Sequence, residues 1–336
     1  MRGLGARRFA LLALGLFLVA AAATIMSAFM VPEGESFDLA VALSDPESTA
    51  RLQWDLLWPR ILNGLLVGAV LGASGAALQG LLRNPLADPF ILGVSGGAAL
   101  GASAVAILGW GALMTEAVGG FVGAFLALAL VTTMATRQGR LRPLDVLLIG
   151  VIFNAFAGAL LMLLQSLGSS DAVHRVLLRL MGSLATDPSQ PLILPVALGG
   201  LSILMVSLVW HARALNVMAL GDTTAQSLGI APDRVRGWLF FTISLAVGAV
   251  VATAGMIGFV GLVVPHVVRM IFGPDHRVLV IASALLGGAF VVLADGCVRL
   301  LSESLLTELP VGVVTALIGG PMFIWLLRRS EGEAWS

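Results

Sequence analysis

Arg60-Ile-Leu-Asn63-Gly-Leu-Leu-Val67-Gly68-Ala69-Val70-Leu-Gly72-Ala-Ser74-Gly75-Ala-Ala-Leu78-Gln79-Gly80-Leu-Leu-Arg83 is the stretch that decides the fold class. Between its two arginines stand 22 residues without one ionisable side chain. A helix crosses the hydrocarbon core in about 20 apolar residues, and tolerates Gly where neighbours cover the backbone. The stretch therefore predicts a membrane-spanning helix over 60–82.

The rest of the chain reads the same way. Of 336 residues, 58% are hydrophobic and 11% charged, with mean hydropathy +1.00. A soluble domain carries about 25% charged residues, and this much apolar surface cannot be hidden inside one. Further spans are expected over 9–31, 91–110, 113–136, 144–167, 191–210, 238–257, 258–271, 279–298 and 311–327, ten in all. The eighth is short, and Gly255 and Gly258 before it can equally mark one kinked helix. The expectation is a single all-α, polytopic membrane domain over 1–336, with approximate halves 1–190 and 191–336.

The charges fix an orientation. No Lys is present, so all 19 basic residues are Arg. With the N-terminus inside, fourteen lie in inner segments, and only Arg51, Arg60, Arg175, Arg179 and Arg299 in outer ones, as the positive-inside rule requires. Both termini then lie in the cytoplasm. A secretory signal is the rival reading of the N-terminus, but Phe9 to Val31 is longer than a ~7–15-residue signal core. An echo of Val67-Gly68-Ala69-Val70 at Val247-Gly248-Ala249-Val250, with Gly75 matched by Gly255, points to an inverted repeat of five plus five spans.

Composition also excludes chemistry. Without Lys there is no P-loop, whose lysine reaches the β- and γ-phosphates, so nucleotide energy must come from a partner. The single Cys297 excludes an internal disulfide framework. No run of like charge suggests nucleic acid, and no nucleophile–base pair suggests catalysis. His266 and His276 lack a third metal ligand at a recognisable spacing; they read as histidines satisfying backbone carbonyls at span ends. Asp295 and Arg299 stand one helical turn apart and can pair.

Two inner segments carry functional signals. In Arg83-Asn84-Pro85-Leu86-Ala87-Asp88-Pro89 the prolines stop a helix, and Asp88-Pro89 reads as N-cap and first residue of the next. Leu86 stands exposed between them, as at the mouth of a pathway. The longest inner loop, 211–237, holds a short helix capped by Asp222 and terminated by Gly229. Leu220, Ala225 and Leu228 give it a small apolar face, suited to a partner's groove. Asn63, Gln79, Asn154 and Gln165 can line a pathway or bond between helices.

Together, Pro59-Arg60, Gly72-Ala-Ser74-Gly75-Ala-Ala-Leu78-Gln79-Gly80, Arg83 to Pro89, Leu92-Gly93-Val-Ser95-Gly96-Gly97, Ala219-Leu220-Gly221-Asp222, Leu228-Gly229, Gly258-Phe259-Val-Gly261-Leu-Val-Val-Pro265-His266, Asp275-His276-Arg277 and Glu308-Leu309-Pro310-Val-Gly312 resemble the FecCD family, permeases of ABC importers for iron-siderophores, haem and cobalamin. The resemblance implies a ten-span homodimer in the bacterial inner membrane, surrounded by lipid. It implies two copies of a separate ATPase carrying ATP and Mg, with no cofactor or metal on this chain, and a periplasmic binding protein outside. By resemblance, Leu220, Gly221, Asp222, Ala225, Leu228 and Gly229 couple to the ATPase. Asn84, Pro85, Leu86, Pro143 and Leu144 form the cytoplasmic gate, and Arg60 and Arg299 dock the binding protein. The cobalamin branch carries small hydroxyl residues where Pro143 and Leu144 stand here, and an arginine where Leu57 stands; Arg51 or Arg175 could stand in for it. The other class considered is an ion-gradient-driven secondary transporter, which needs intramembrane carboxylates.

Overall fold

The computed structural model describes residues 6–29, 49–108, 115–137, 140–170, 173–174, 177, 180–185, 193–305 and 309–330. Its elements are α1 (Ala6–Phe29), α2 (Thr49–Leu81), a 3-10 turn (Pro89–Leu92), α3 (Val94–Ile107), α4 (Glu116–Ala135), a ribbon of β1 (Thr136–Arg137) and β2 (Arg140–Leu141), α5 (Pro143–Leu167), α6 (Ile193–Met218), α7 (Asp222–Ser227), α8 (Pro232–Ala254), α9 (Val260–Phe272), α10 (His276–Leu305) and α11 (Val311–Ser330). The outer arginines Arg175 and Arg179 lie outside the described residues, as do Glu308 and the acidic stretch before α2.

Each of the ten apolar stretches forms helix among its described residues. Among the described residues six helices, α2, α4, α5, α6, α8 and α10, are long and apolar enough to cross a membrane, while α1, α3, α9 and α11 carry shorter apolar stretches. The protein is a polytopic membrane protein.

Two expectations about the chain's course are corrected, and one alternative is settled. Segment 211–237 is not mainly loop: α6 runs on to Met218 and α8 starts at Pro232, leaving 219–231 around α7. His211, Ala212, Arg213 and Ala214 are polar or small but ordinary helix formers, and leaving the apolar core does not end a helix. The seventh and eighth stretches are the two separate helices counted from the sequence, not one kinked helix. Gly255 (φ 70°) and Phe259 (φ 68°) take left-handed conformations that no continuous helix accommodates. The third span opens with the 3-10 turn and breaks at Gly93 (φ 87°) before α3. The ribbon, with Arg137 paired to Arg140, was not expected.

α2 is the axis of the bundle. Its apolar window is 83% buried, against 17% for the peripheral α5. Burial in a membrane brings no gain over lipid, so helices associate through close packing and hydrogen bonds. α2 supplies the first with Gly64, Gly68, Gly72 and Gly75 along one side. A Cβ on Gly68 would overlap the backbone of Gly287 in α10, one on Gly72 the carbonyl of Ser283, and one on Gly75 the backbone of Gly261 in α9. The helices therefore meet backbone to backbone. Asn63 and Gln79 supply the second: both are buried, Asn63 donating to the Leu184 carbonyl (3.3 Å) and Gln79 to those of Gly261 and Leu262 (both 3.3 Å). Asn154 likewise donates to the Phe90 carbonyl (2.9 Å) and accepts from Gly96 N (3.2 Å). All three are interhelical ties.

Candidate functional site

Polar side chains gather at the two ends of α2. Arg60 and Arg83 are 23 positions apart, roughly 35 Å along a helix, slightly more than the ~30 Å hydrocarbon core.

At the Arg60 end, Asp295 of α10 is buried and receives both arginines assigned to docking. Arg60 Nε lies 3.0 Å from each carboxylate oxygen and Nη2 2.8 Å from Oδ1. Arg299 Nε sits 3.3 Å from Oδ2, across one turn as the spacing requires, and its Nη2 donates to the carbonyl (2.6 Å) and hydroxyl (2.7 Å) of Ser27 in α1. One carboxylate thus ties α2 to α10, and Arg299 ties α10 to α1. Arg60 stays a quarter exposed, leaving one face toward solvent.

At the other end α2 stops in a left-handed residue, Arg83 (φ 47°). Asn84 N bonds the Gln79 carbonyl (3.2 Å) and Arg83 N that of Gly80 (3.4 Å). This closure normally uses glycine, and a side chain there costs roughly 1–2 kcal/mol. The arginine earns its place through its side chain. Its Nε donates to the Met218 carbonyl at the end of α6 (2.9 Å), and its Nη2 pairs with Asp222. Asp222 also receives Nη2 of Arg236 in α8 (2.7 Å). The hydrogen bond from Arg236 lowers the Asp222 pKa below its ordinary 3.8, with the charges of both arginines adding to it. Both arginines thus favour the charged carboxylate.

Asp222 is therefore not the cap of α7. Gly221 (φ 127°) occupies that position and Asp222 follows it, because two guanidiniums claim the carboxylate that would otherwise meet backbone N–H groups. Gly229 does terminate α7, at φ 81°, with Gly229 N bonded to Gln226 O and Ile230 N to Ala225 O (both 3.0 Å). The expected apolar face is divided. Leu220 and Leu228 project outward, 74% and 64% exposed, whereas Ala225 is fully buried and seats α7 on the bundle.

The turn after Arg83 is a compact knuckle. Asn84 Oδ1 accepts from Leu86 N (2.9 Å), Ala87 is buried, and Leu86 stands exposed. Leu144 at the start of α5 is also exposed, and Pro143 is that helix's first residue. Asp88 caps the 3-10 turn as expected, accepting from Phe90 N (2.8 Å). Burial raises its pKa from 3.8 to about 6, partly offset by that bond. A carboxyl with a raised folded pKa stabilises the fold below about pH 4, and the contribution is lost as pH rises through about 6. The shift corresponds to about 3 kcal/mol at most. Asp88→Asn keeps the cap without the charge. Its thermal midpoint in detergent is expected to exceed wild type by a few degrees at pH 8 and to match it at pH 4; parallel curves would refute the assignment.

The histidines depart from expectation. His276 Nδ1 meets Asn216 Oδ1 (2.8 Å), a side chain rather than a carbonyl of the backbone. The same Asn216 donates to Asp275 (2.7 Å), so α6 supplies a polar clasp for the start of α10. Burial opposes ionisation of Asp275, but its bonds from Arg277 N and Asn216 outweigh this and lower its pKa. His266 packs edge-on against Phe323, and neither ring nitrogen has a partner among the described residues. Sequence reasoning missed Arg83 and Arg236 as partners of Asp222; the signal was an arginine where a helix-ending glycine is usual.

The profile of the FecCD transport family matches residues 9–329. A cobalamin import system permease from Halobacterium salinarum is 41% identical over 86% of this chain and 76% of its own length. A hemin transport system permease from Yersinia pestis is 37% identical over 82% of both chains. A solved structure described as an inward-facing conformation of a metal-chelate type ABC transporter superposes with TM-score 0.81 at 31% identity, covering 94% of this chain and 98% of that one. The chain belongs to the FecCD transport family and is an ABC importer permease.

Proposed function

We infer that the chain carries a bulky metal chelate, haem or corrinoid inward across the bacterial inner membrane, as a homodimer with two ATPase subunits and an external binding protein. Ten spans in two inverted halves, with both termini cytoplasmic, complete this reading. The observation that carries it is the Arg83–Asp222–Arg236 cluster. It joins α7, whose exposed Leu220 and Leu228 suit a partner's cleft, to the Asn84–Leu86 knuckle at the end of the central helix. A partner that moves α7 therefore moves the gate, and a ligand shifts an equilibrium only through contacts that differ between the two states.

The Arg60–Asp295–Arg299 cluster weighs against ion-gradient coupling. A coupling carboxylate must exchange its ion, and Asp295 is held by two arginines. The specificity of the pathway rests on its binding protein, which selects the cargo before delivery. The expected result is co-purification with a P-loop ATPase in about equal amounts, and uptake that is lost without that ATPase. Uptake that persists without it and collapses with the proton gradient would overturn the reading.

A further inference from the structure

A groove of about 520 Å³ runs between α4 and α8, beginning one residue beyond Arg236 on α8. It falls within the ~300–1,000 Å³ typical of ligand sites. Phe125, Ala129 and Thr133 form one wall, and Gly237, Phe241 and Ser244 the other. The hydroxyls in it are already satisfied within their own helices. Thr132 donates to Leu128 O (2.7 Å), Thr133 to Leu130 O (2.9 Å), Thr136 to Thr132 O (2.7 Å), and Ser244 to Phe240 O. What the groove offers an occupant is an apolar surface.

Its length and its rim define that occupant. Along α4 it extends from Phe125 to Thr136, roughly 16 Å at 1.5 Å per residue, about half of the ~30 Å hydrocarbon core. It therefore follows one leaflet. At its mouth the ribbon pairs Arg137 with Arg140. Arg142, next to the groove residue Leu141, is exposed, and so is Arg234, one turn before Gly237. Trp238 is half-exposed beside them, its ring 6.0 Å from that of Phe241, as suits the membrane interface. The nearest acid on α8, Asp233, faces Arg236 at 3.7 Å. Four arginines, Arg137, Arg140, Arg142 and Arg234, stand along this end against two acids, Asp145 one turn after Arg142 and Asp233, so the rim carries an excess of positive charge.

We propose that this groove binds one acyl chain of an anionic phospholipid, with the headgroup phosphate over Arg142 and Arg234. Basic pockets between membrane helices hold acidic headgroups in this way, and each arginine near the surface contributes about a fivefold gain in affinity. Bound there, the lipid fills the gap between α4 and α8. The ribbon leads directly into Pro143 and Leu144, so the site adjoins the start of α5.

The test uses the purified full-length chain in detergent, without ATPase or substrate, so its failure is separable from failure of the transport reading. Native mass spectrometry follows titration with phosphatidylglycerol or with phosphatidylcholine of identical chains. Wild type is expected to retain phosphatidylglycerol at least about tenfold more strongly. Arg142→Gln with Arg234→Gln is expected to remove that preference. Gly237→Leu, whose side chain enters open space and fills the groove, is expected to lower retention of both lipids. Equal binding of the two lipids by wild type, an unchanged preference in the arginine variant, or unchanged retention in Gly237→Leu would each overturn the proposal.

Discussion

Gly68→Leu is expected to abolish recovery of folded permease. A side chain there does not press on another side chain that can turn away; its first carbon falls on the backbone of Gly287. Ordinary overpacking costs about 1–3 kcal/mol because side chains adjust, whereas here α2 and α10 must separate. That separation also strains the Arg60–Asp295 bonds between the same two helices. The loss is expected to exceed the ordinary range and to consume much of a stability of about 5–15 kcal/mol. Gly199→Leu on α6 is the control, since nothing lies within 4 Å of its Cβ position. Size-exclusion profiles in detergent are expected to show aggregate or no protein for Gly68→Leu and a wild-type peak for Gly199→Leu. A monodisperse, thermally unaltered Gly68→Leu would show that the helices do not meet as described.

Asp222→Arg is expected to leave the permease folded and assembled but to uncouple it. The substitution would place three guanidiniums where one carboxylate now joins Arg83 to Arg236. α7 would lose its tie to the knuckle, while Leu220 and Leu228 remain available to the ATPase. Transport is expected to fall by about 5–150-fold, the usual range of coupling between sites, while ATP hydrolysis by the complex continues. Asp222→Arg combined with Arg83→Asp is expected to recover part of the loss. Gly229→Pro reaches the same end differently: proline cannot adopt φ 81° and removes the N–H that closes α7 on Gln226. Wild-type uptake in proteoliposomes for both Asp222→Arg and Gly229→Pro would remove α7 from the coupling path.

These two sites differ in how far the amino-acid order exposes them. The glycines at 64, 68 and 72 recur every four residues, a spacing that marks a close helix contact, but the spacing does not say which helix is the partner. The Asn84–Pro89 turn was largely readable, because its prolines and N-cap act within a few residues, while the Asn84 side chain's bond to Leu86 N was not read. The cap of α7 was misread at Asp222 for the opposite reason. Its carboxylate is claimed by Arg83, 139 positions earlier, and by Arg236, 14 later. Segment 211–215 was read as loop because hydropathy reports where a helix leaves the lipid, not where it stops.

The order of residues alone determined the apolar stretches, their helical state and the break at Arg83 to Pro89. Each depends on one segment's transfer into lipid or on backbone angles at a single Gly, Pro or cap. Only the tertiary structure decided which charges meet: Asp295 with Arg60, 235 positions away, and Asp222 with Arg83. A buried charge needs a partner wherever it can find one. Which partner is within reach depends on how glycine-lined helices pack, and that is a property of the whole bundle.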